Sequence, residues 1–166
     1  MRFEAKLDDL SKSISFVTLG VLLIPAVLII NMAAHGEPKP LSVISTVLII
    51  LFLAYSYAVK AYELDETELK IYRMAGVKKF KLADLASATP VTTKELGFGL
   101  RAFGSGGFFG YFGSFVYRNI GKAQVFATDK SKFILLKTKA GKNIIVSPAD
   151  TVEFLNALKL PTAAID

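Results

Sequence analysis

Residues Gly97 to Gly121 read GFGLRAFGSGGFFGYFGSFVYRNIG, a stretch that holds eight of the chain's twelve glycines and six of its thirteen phenylalanines. Glycine lets backbone turn tightly and approach other groups closely, whereas Phe and Tyr carry large apolar area that leaves water. The pattern predicts a tightly turning, sticky loop, neither helix nor ordinary coil. Phe103, Phe108, Phe109, Tyr111, Phe112, Phe115 and Tyr117 cannot all stand exposed without forming an apolar patch of the kind that marks a protein or membrane contact. The alternative is that the rings fold into the core of their own domain, with the glycines as turns and bulges. The contact reading assigns Phe103, Phe108, Phe109, Tyr111, Phe112 and Phe115 to the contact surface, with Phe108, Phe109 and Phe112 as its anchors.

Composition indicates where a partner surface lies. The 166 residues suffice for about one domain, and 52% hydrophobic residues with a mean hydropathy of +0.46 is apolar for such a chain. The excess is concentrated. Ile14 to Ala34 and Leu41 to Val59 contain no acidic or basic residue, and their lengths of 21 and 19 residues approach the roughly 20 that cross a bilayer core as a helix. Gly36-Glu37-Pro38-Lys39-Pro40 between them has the chemistry of a helix-breaking turn. The sequence therefore predicts a transmembrane helical hairpin over 13–60, preceded by a cytoplasmic tail over 1–12. A signal peptide fits less well, because the apolar run is long, acids precede it and a second run follows at once.

Three basic residues lie before the first run, one between the runs and six from Lys60 to Lys81. That distribution predicts cytoplasmic termini at a bacterial inner membrane. Tyr55, Tyr57 and Tyr62 would sit at headgroup depth at the inner end of the second helix. Cysteine is absent, which excludes disulfides, thiolate chemistry and cysteine-held zinc. The single histidine, His35, has no second histidine with which to form a metal site or an acid–base pair. Ser105 in Gly104-Ser105-Gly106-Gly107 lacks both a P-loop lysine and a base partner, so a turn serine is the better reading. No catalytic residue, metal or cofactor is expected. From Lys60 onward 16 basic residues face 10 acidic ones; an inner-leaflet surface accounts for that charge more simply than nucleic acid does.

Beyond Val59 the period changes. Glu68-Leu69-Lys70-Ile71 and Lys79-Phe80-Lys81-Leu82 alternate as half-buried strands, with Ala75-Gly76 as their turn. Ala88 to Thr93 and Phe115 to Tyr117 are weaker strand candidates. Lys122 to Thr128, Lys132 to Thr138 and Lys142 to Val146 predict a meander of antiparallel hairpins. Ser147-Pro148-Ala149-Asp150 predicts a helix capped by Ser147, with Pro148 at its first position and Asp150 in its first turn, running to about Lys159 and closed by Pro161.

About seven strands followed by one amphipathic helix, together with Glu68-Leu69-Lys70-Ile71, the run RAFGSGGFFGYFG from Arg101 to Gly113, Phe126-Ala127-Thr128-Asp129 and Ile144-Ile145-Val146-Ser147-Pro148, carry a resemblance. The soluble part resembles the bacterial pleckstrin-homology-like (PH-like) domains, in particular the group in which a transmembrane hairpin precedes the domain. The resemblance covers roughly Lys60 to Lys159, which places the PH-like domain at 61–160 and a short tail at 161–166. It implies an α+β membrane protein, the hairpin being followed by a mainly antiparallel barrel or sandwich that a C-terminal helix caps. It also implies a non-enzymatic binding or scaffolding role.

In eukaryotic relatives of the fold, basic residues on and around the first strands hold lipid headgroups. Lys70, Arg73, Lys78, Lys79 and Lys81 fall in that part of this chain, and Arg101 joins them as a candidate lipid-binding residue. Alternating lysines also suit a solvated face or a diffuse attraction to anionic lipid. Two functions follow. One is a membrane-anchored interaction module, self-assembling or holding a protein partner, whose Gly/aromatic loop packs on the bilayer interface, on its own helices or on a neighbouring subunit. The other is a receptor for an anionic lipid headgroup or small ligand, its rings converging on a cavity with Arg101 or Arg118.

Overall fold

The computed structural model describes residues 1–35 and 39–162. In chain order the elements are β1 (Arg2–Glu4), α1 (Asp9–Ala34), α2 (Lys39–Tyr57), β2 (Val59–Leu64), β3 (Glu68–Arg73), β4 (Gly76–Lys81), β5 (Leu85–Pro90), α3 (Thr93–Leu96), β6 (Gly99–Gly107), β7 (Gly110–Tyr117), β8 (Gly121–Ala127), β9 (Ile134–Thr138), β10 (Asn143–Val146) and α4 (Thr151–Leu158). The centre of the expected helix-breaking turn, Gly36 to Pro38, lies outside the described residues.

The expected membrane architecture is corrected here. Among the described residues no helix is long and apolar enough to cross a membrane, and the fold class is an α+β arrangement of helices with two mainly antiparallel sheets. The first turns of α1 and the last turn of α2 are built into the β structure, which takes them out of the apolar length. Asp8 caps α1, its Oδ1 accepting from Ser11 N at 2.7 Å, and its own N–H donates to Thr128 O at 3.0 Å. Ser11 and Ser15, on successive turns of α1, are buried. At the other end Ser56 is buried and its carbonyl accepts from Ala75 N in the β3–β4 turn. Tyr62 is not at headgroup depth either. It is fully buried, donating to Phe126 O at 2.7 Å and accepting from Ser147 N at 3.1 Å.

One sheet runs β1-β2-β3-β4 and the other β5-β9-β10-β8-β7-β6. Strand β1 was not legible as a strand, yet Phe3 pairs with Tyr62 across the ladder and meets the Phe154 ring edge-on at 5.1 Å. Chain on both sides of the helices thus builds one sheet. The main core lies between the sheets and under α4, formed by Tyr62, Leu69, Ile71, Ile134, Leu136, Ile144, Val146, Phe154 and Leu158 among others. Leu135, Ile145, Val125 and Ala127 point to the opposite face of the second sheet, where a second cluster gathers Val91, Leu96, Tyr111, Phe115 and Phe133. Strands covered on both faces become continuous apolar runs, which is how Ile134-Leu135-Leu136 and Ile144-Ile145-Val146 read.

The expected meander differs in order. β10 inserts between β8 and β9, parallel to β8 and antiparallel to β9. The cap of α4 also shifts to Asp150, whose Oδ1 accepts from Glu153 N at 2.9 Å. Ser147 is unavailable as a cap because its Oγ accepts from the N–H groups of Thr128 and Asp129.

Candidate functional site: a helix-docked hairpin and a lysine groove

The Gly/aromatic stretch is a long β-hairpin, and the expectation of a tightly turning loop is corrected. Strands β6 and β7 pair from Gly99↔Tyr117 to Gly107↔Gly110, with a bulge between Arg101 and Phe103 and only Phe108-Phe109 as the turn. Gly104 and Gly113 face each other at φ of +112° and +121°. A Cβ on Gly104 would strike Phe112 O, and one on Gly113 would strike Phe103 O. Here the two backbones approach more closely than any other residue allows. Ser105 Oγ donates to Phe108 O at 2.6 Å and steadies the turn, which is a structural role for that serine.

The hairpin tip docks on the helices. Phe109 N donates to Ser15 Oγ at 3.0 Å, and the Phe109 ring meets Tyr55 edge-on at 5.2 Å. Phe112 stacks on Tyr57 at 6.4 Å, and Arg73 lies over the other ring neighbours of that corner, 5.5 Å from Tyr57 and 5.7 Å from Phe126. Asp8 ties the corner together. Its Oδ2 accepts from Tyr111 OH and from Lys130 N, each at 3.2 Å. Burial pushes the Asp8 carboxyl up, but the hydrogen bonds from Ser11, Lys130 and Tyr111 outweigh it and hold the group below its ordinary range.

Of the expected contact residues, Phe108 and Phe109 are half-buried at the tip, Tyr111, Phe112 and Phe115 are buried, and Phe103 stands out at 79% exposure. The two faces of the hairpin divide them. Phe103 and Phe112 lie on one, whereas Tyr111, Phe115 and Tyr117 lie on the other, concave face. That face encloses about 480 Å³ with Arg101 and Lys130 at its margin. Arg101 is thereby separated from the other candidate lipid-binding residues.

Those residues scatter further. Lys70 pairs with Asp65 at 2.9 Å and with Glu63 at 3.9 Å, and Lys79 pairs with Glu68 at 3.5 Å. The Asp65 hydrogen bond holds Lys70 above its usual value. Arg73 is taken up by the ring stack. Lys78, Lys79 and Lys81 line a groove of about 610 Å³ between β4 and the β9–β10 turn, and Lys139 and Lys142 complete it. Five lysines and Asp84 line it, and the Lys79 ammonium is paired with Glu68. Sequence reading missed Lys139 and Lys142 because about 60 residues separate them from β4. Only the sheet packing joins them.

The groove runs from Lys78, close after the β3–β4 turn, to the end of the sheets far from the helices. The β3–β4 turn, the end of β8 at Ala127 and the hairpin tip all meet α1 or α2, whereas the start of β8 at Gly121, the start of β10 at Asn143 and the Lys139–Lys142 turn lie at the opposite end. At about 3.3 Å per residue, β8 alone separates the two ends by roughly 20 Å.

This geometry, two sheets around a shared core with a helix laid over it, agrees with the comparison to protein families. The model described as "Bacterial PH domain" matches residues 60–160, well over half of the chain. The chain belongs to the bacterial PH domain family. Its PH domain thus begins at β2 and takes in both the hairpin and the lysine groove. PH domains are binding and scaffolding modules and are generally non-catalytic. Strand β1 and the helix pair precede the matched region, so the first sheet of this PH domain is completed from outside it. No curated protein and no solved structure matches the chain.

Proposed function

We propose that this chain is a membrane-associated interaction module in which α1 and α2 hold a bacterial PH domain at a lipid surface, the cytoplasmic face of the plasma membrane, and the lysine groove captures an acidic partner. The observation that carries the reading is the apolar surface of the helix pair. Phe16, Val17, Val21, Leu23, Val27 and Ile30 on α1 and Leu48, Ile49, Ile50, Phe52 and Leu53 on α2 are each half or more exposed. That much contiguous apolar area marks a contact with lipid or protein. The docked hairpin tip then fixes how the PH domain stands on its helices, and the groove runs to the end away from them. The charges of Lys139 and Lys142, at its far end, are screened from a lipid surface, since the Debye length is about 8–10 Å at physiological salt. An acidic protein segment therefore suits the groove better than the headgroups of the same membrane.

Flotation of the full chain with phosphatidylcholine vesicles tests the first half. The intact chain should float independently of salt, and Phe16→Ser, Leu48→Ser and Phe52→Ser together should weaken binding at least about a hundredfold. Unchanged flotation of the triple variant, or none for the intact chain, sinks membrane association through the helices. For the groove, an oligo-glutamate peptide should bind the intact chain and lose binding on Lys78→Gln, Lys139→Gln and Lys142→Gln. If those changes instead abolish a preference for phosphatidylglycerol vesicles and leave the peptide untouched, the groove reads lipid headgroups.

A further inference from the structure

We infer that the concave face of the β6–β7 hairpin is a binding site for a small organic anion with a flat apolar body, distinct from the lysine groove. The face is built by subtraction. On β6 the positions facing it are Gly99, Arg101, Gly104 and Gly106, so one side chain alone projects from that strand. Arg101 lies along the bare backbone, its terminal nitrogen 3.7 Å from where a Gly106 Cβ would stand. On β7 the same face carries Tyr111, Phe115 and Tyr117, and the last two rings run nearly parallel, 16° apart with centroids at 6.0 Å. Tyr117 also covers Gly99, where a Cβ would meet its ring at 2.6 Å. Bare glycines on one strand beside rings on the next leave an open slot with an apolar wall.

Two cations line the slot. Lys130 holds its ammonium 4.5 Å from the centre of the Tyr111 ring, and neither it nor Arg101 makes an ion pair among the described residues. Two carboxylates stand on the Tyr111 side, Asp8, which accepts from Tyr111 OH and Lys130 N, and Asp129, bonded to Ser131, so Arg101 is the cation left to meet an anion. Burial raises the Tyr117 hydroxyl to about 12, so it stays a neutral donor that does not repel an anion. A guanidinium fork fits a carboxylate or phosphate bidentately, and parallel rings accept a flat body. A volume of about 480 Å³ lies within the usual range for small-ligand sites, roughly 300–1,000 Å³.

Ligand-observed NMR on the full chain with three probes tests the site: phenyl phosphate, inorganic phosphate and benzyl alcohol. Phenyl phosphate should bind saturably and at least about tenfold more tightly than either of the others. Arg101→Gln should weaken it about tenfold, as loss of a charge-assisted hydrogen bond does. Gly106→Leu, which fills the slot and keeps both cations, should abolish binding while the hairpin amides retain their chemical-shift pattern. Benzyl alcohol binding equally well would reduce the face to an apolar patch, and inorganic phosphate binding equally well would reduce it to a charge patch. Either result, or phenyl phosphate binding that survives the Arg101 change, overturns the assignment.

Discussion

Two hairpins of the same six-stranded sheet, β9–β10 and β6–β7, are built on opposite principles. β9–β10 lies inside the sheet with Ile134, Leu135, Leu136, Ile144, Ile145 and Val146 all buried, so it is held by side chains on both faces. Its turn residue Gly141 adopts φ +75° with open space around it. β6–β7 lies at the edge, carries six glycines from Gly99 to Tyr117 and is held at its far tip by α1 and α2. In the first hairpin the backbone follows from what the side chains bury. In the second, bare glycines let the backbones close on one another, and the rings pack on α2 or into the second core cluster.

The sharpest way to break that contrast is to make the same change in both hairpins. Gly104→Ala adds a methyl onto the Phe112 carbonyl at a positive φ. Strain of about 1–3 kcal/mol and overpacking of about 1–3 kcal/mol combine to roughly 4 kcal/mol. Gly141→Ala meets nothing within 4 Å and should cost only the left-handed backbone, about 1–2 kcal/mol. Thermal melting of the two variants side by side should show a far larger drop for Gly104→Ala. Equal drops would mean that the hairpin backbones are not as close as described.

This difference also governs what could be read from the chain. β9, β10, β3 and β4 announce themselves because alternation or continuous apolar runs are local signals of burial on one face or two. The C-terminal helix was legible through Ser147-Pro148-Ala149-Asp150 and an apolar side expected at Leu155 and Leu158, whereas Phe154 and Leu158 are the residues it buries. β6 gave no such signal, since Gly99, Gly104 and Gly106 erase the period that a strand imprints on its side chains, and the stretch read as a loop. β1 was hidden by length: three residues, with Phe3 alone pointing inward, carry no period at all. The apolar runs of α1 and α2 were legible as helices, but the use of their ends was not. Ser11, Ser15 and Ser56 look neutral in sequence and acquire meaning only through contacts with residues far along the chain. Lys139 and Lys142 belong to the same class, being ordinary turn lysines until sheet packing sets them beside Lys78.

A smaller effect separates the tip of β6–β7 from the sheet that carries it. Phe109→Ala removes the edge-on contact with Tyr55 and a partly buried ring, worth about 2 kcal/mol together. Because the contact joins helix to hairpin, the loss should appear as faster amide exchange in the first turns of α1 and at Phe108 to Gly110. The amides of β9 and β10 should exchange as before. A uniform acceleration through both hairpins would show that the docked corner and the sheet core open as one unit.

The smallest effect is one of acidity, and it concerns the same corner. Asp8 caps α1 and accepts from Tyr111 and Lys130, so its carboxylate joins α1, β7 and the segment after β8. Its burial favours the protonated form and its hydrogen bonds favour the ionised form, and the bonds win, placing the folded value below the ordinary 3.8. A depressed acid contributes its stabilisation in full above the ordinary value and loses it as pH falls through the folded one. Protection of the first α1 amides should therefore be flat from about pH 7 to about pH 5 and decline below about pH 4. The scale is that of a charge at a helix N-terminus, about 0.3–1 kcal/mol. Asp8→Asn keeps a cap and an acceptor but cannot titrate, so its protection should stay level across the same range. If the variant declines in step with the wild type, the acid sensitivity belongs to other carboxylates and the corner is held by its rings alone.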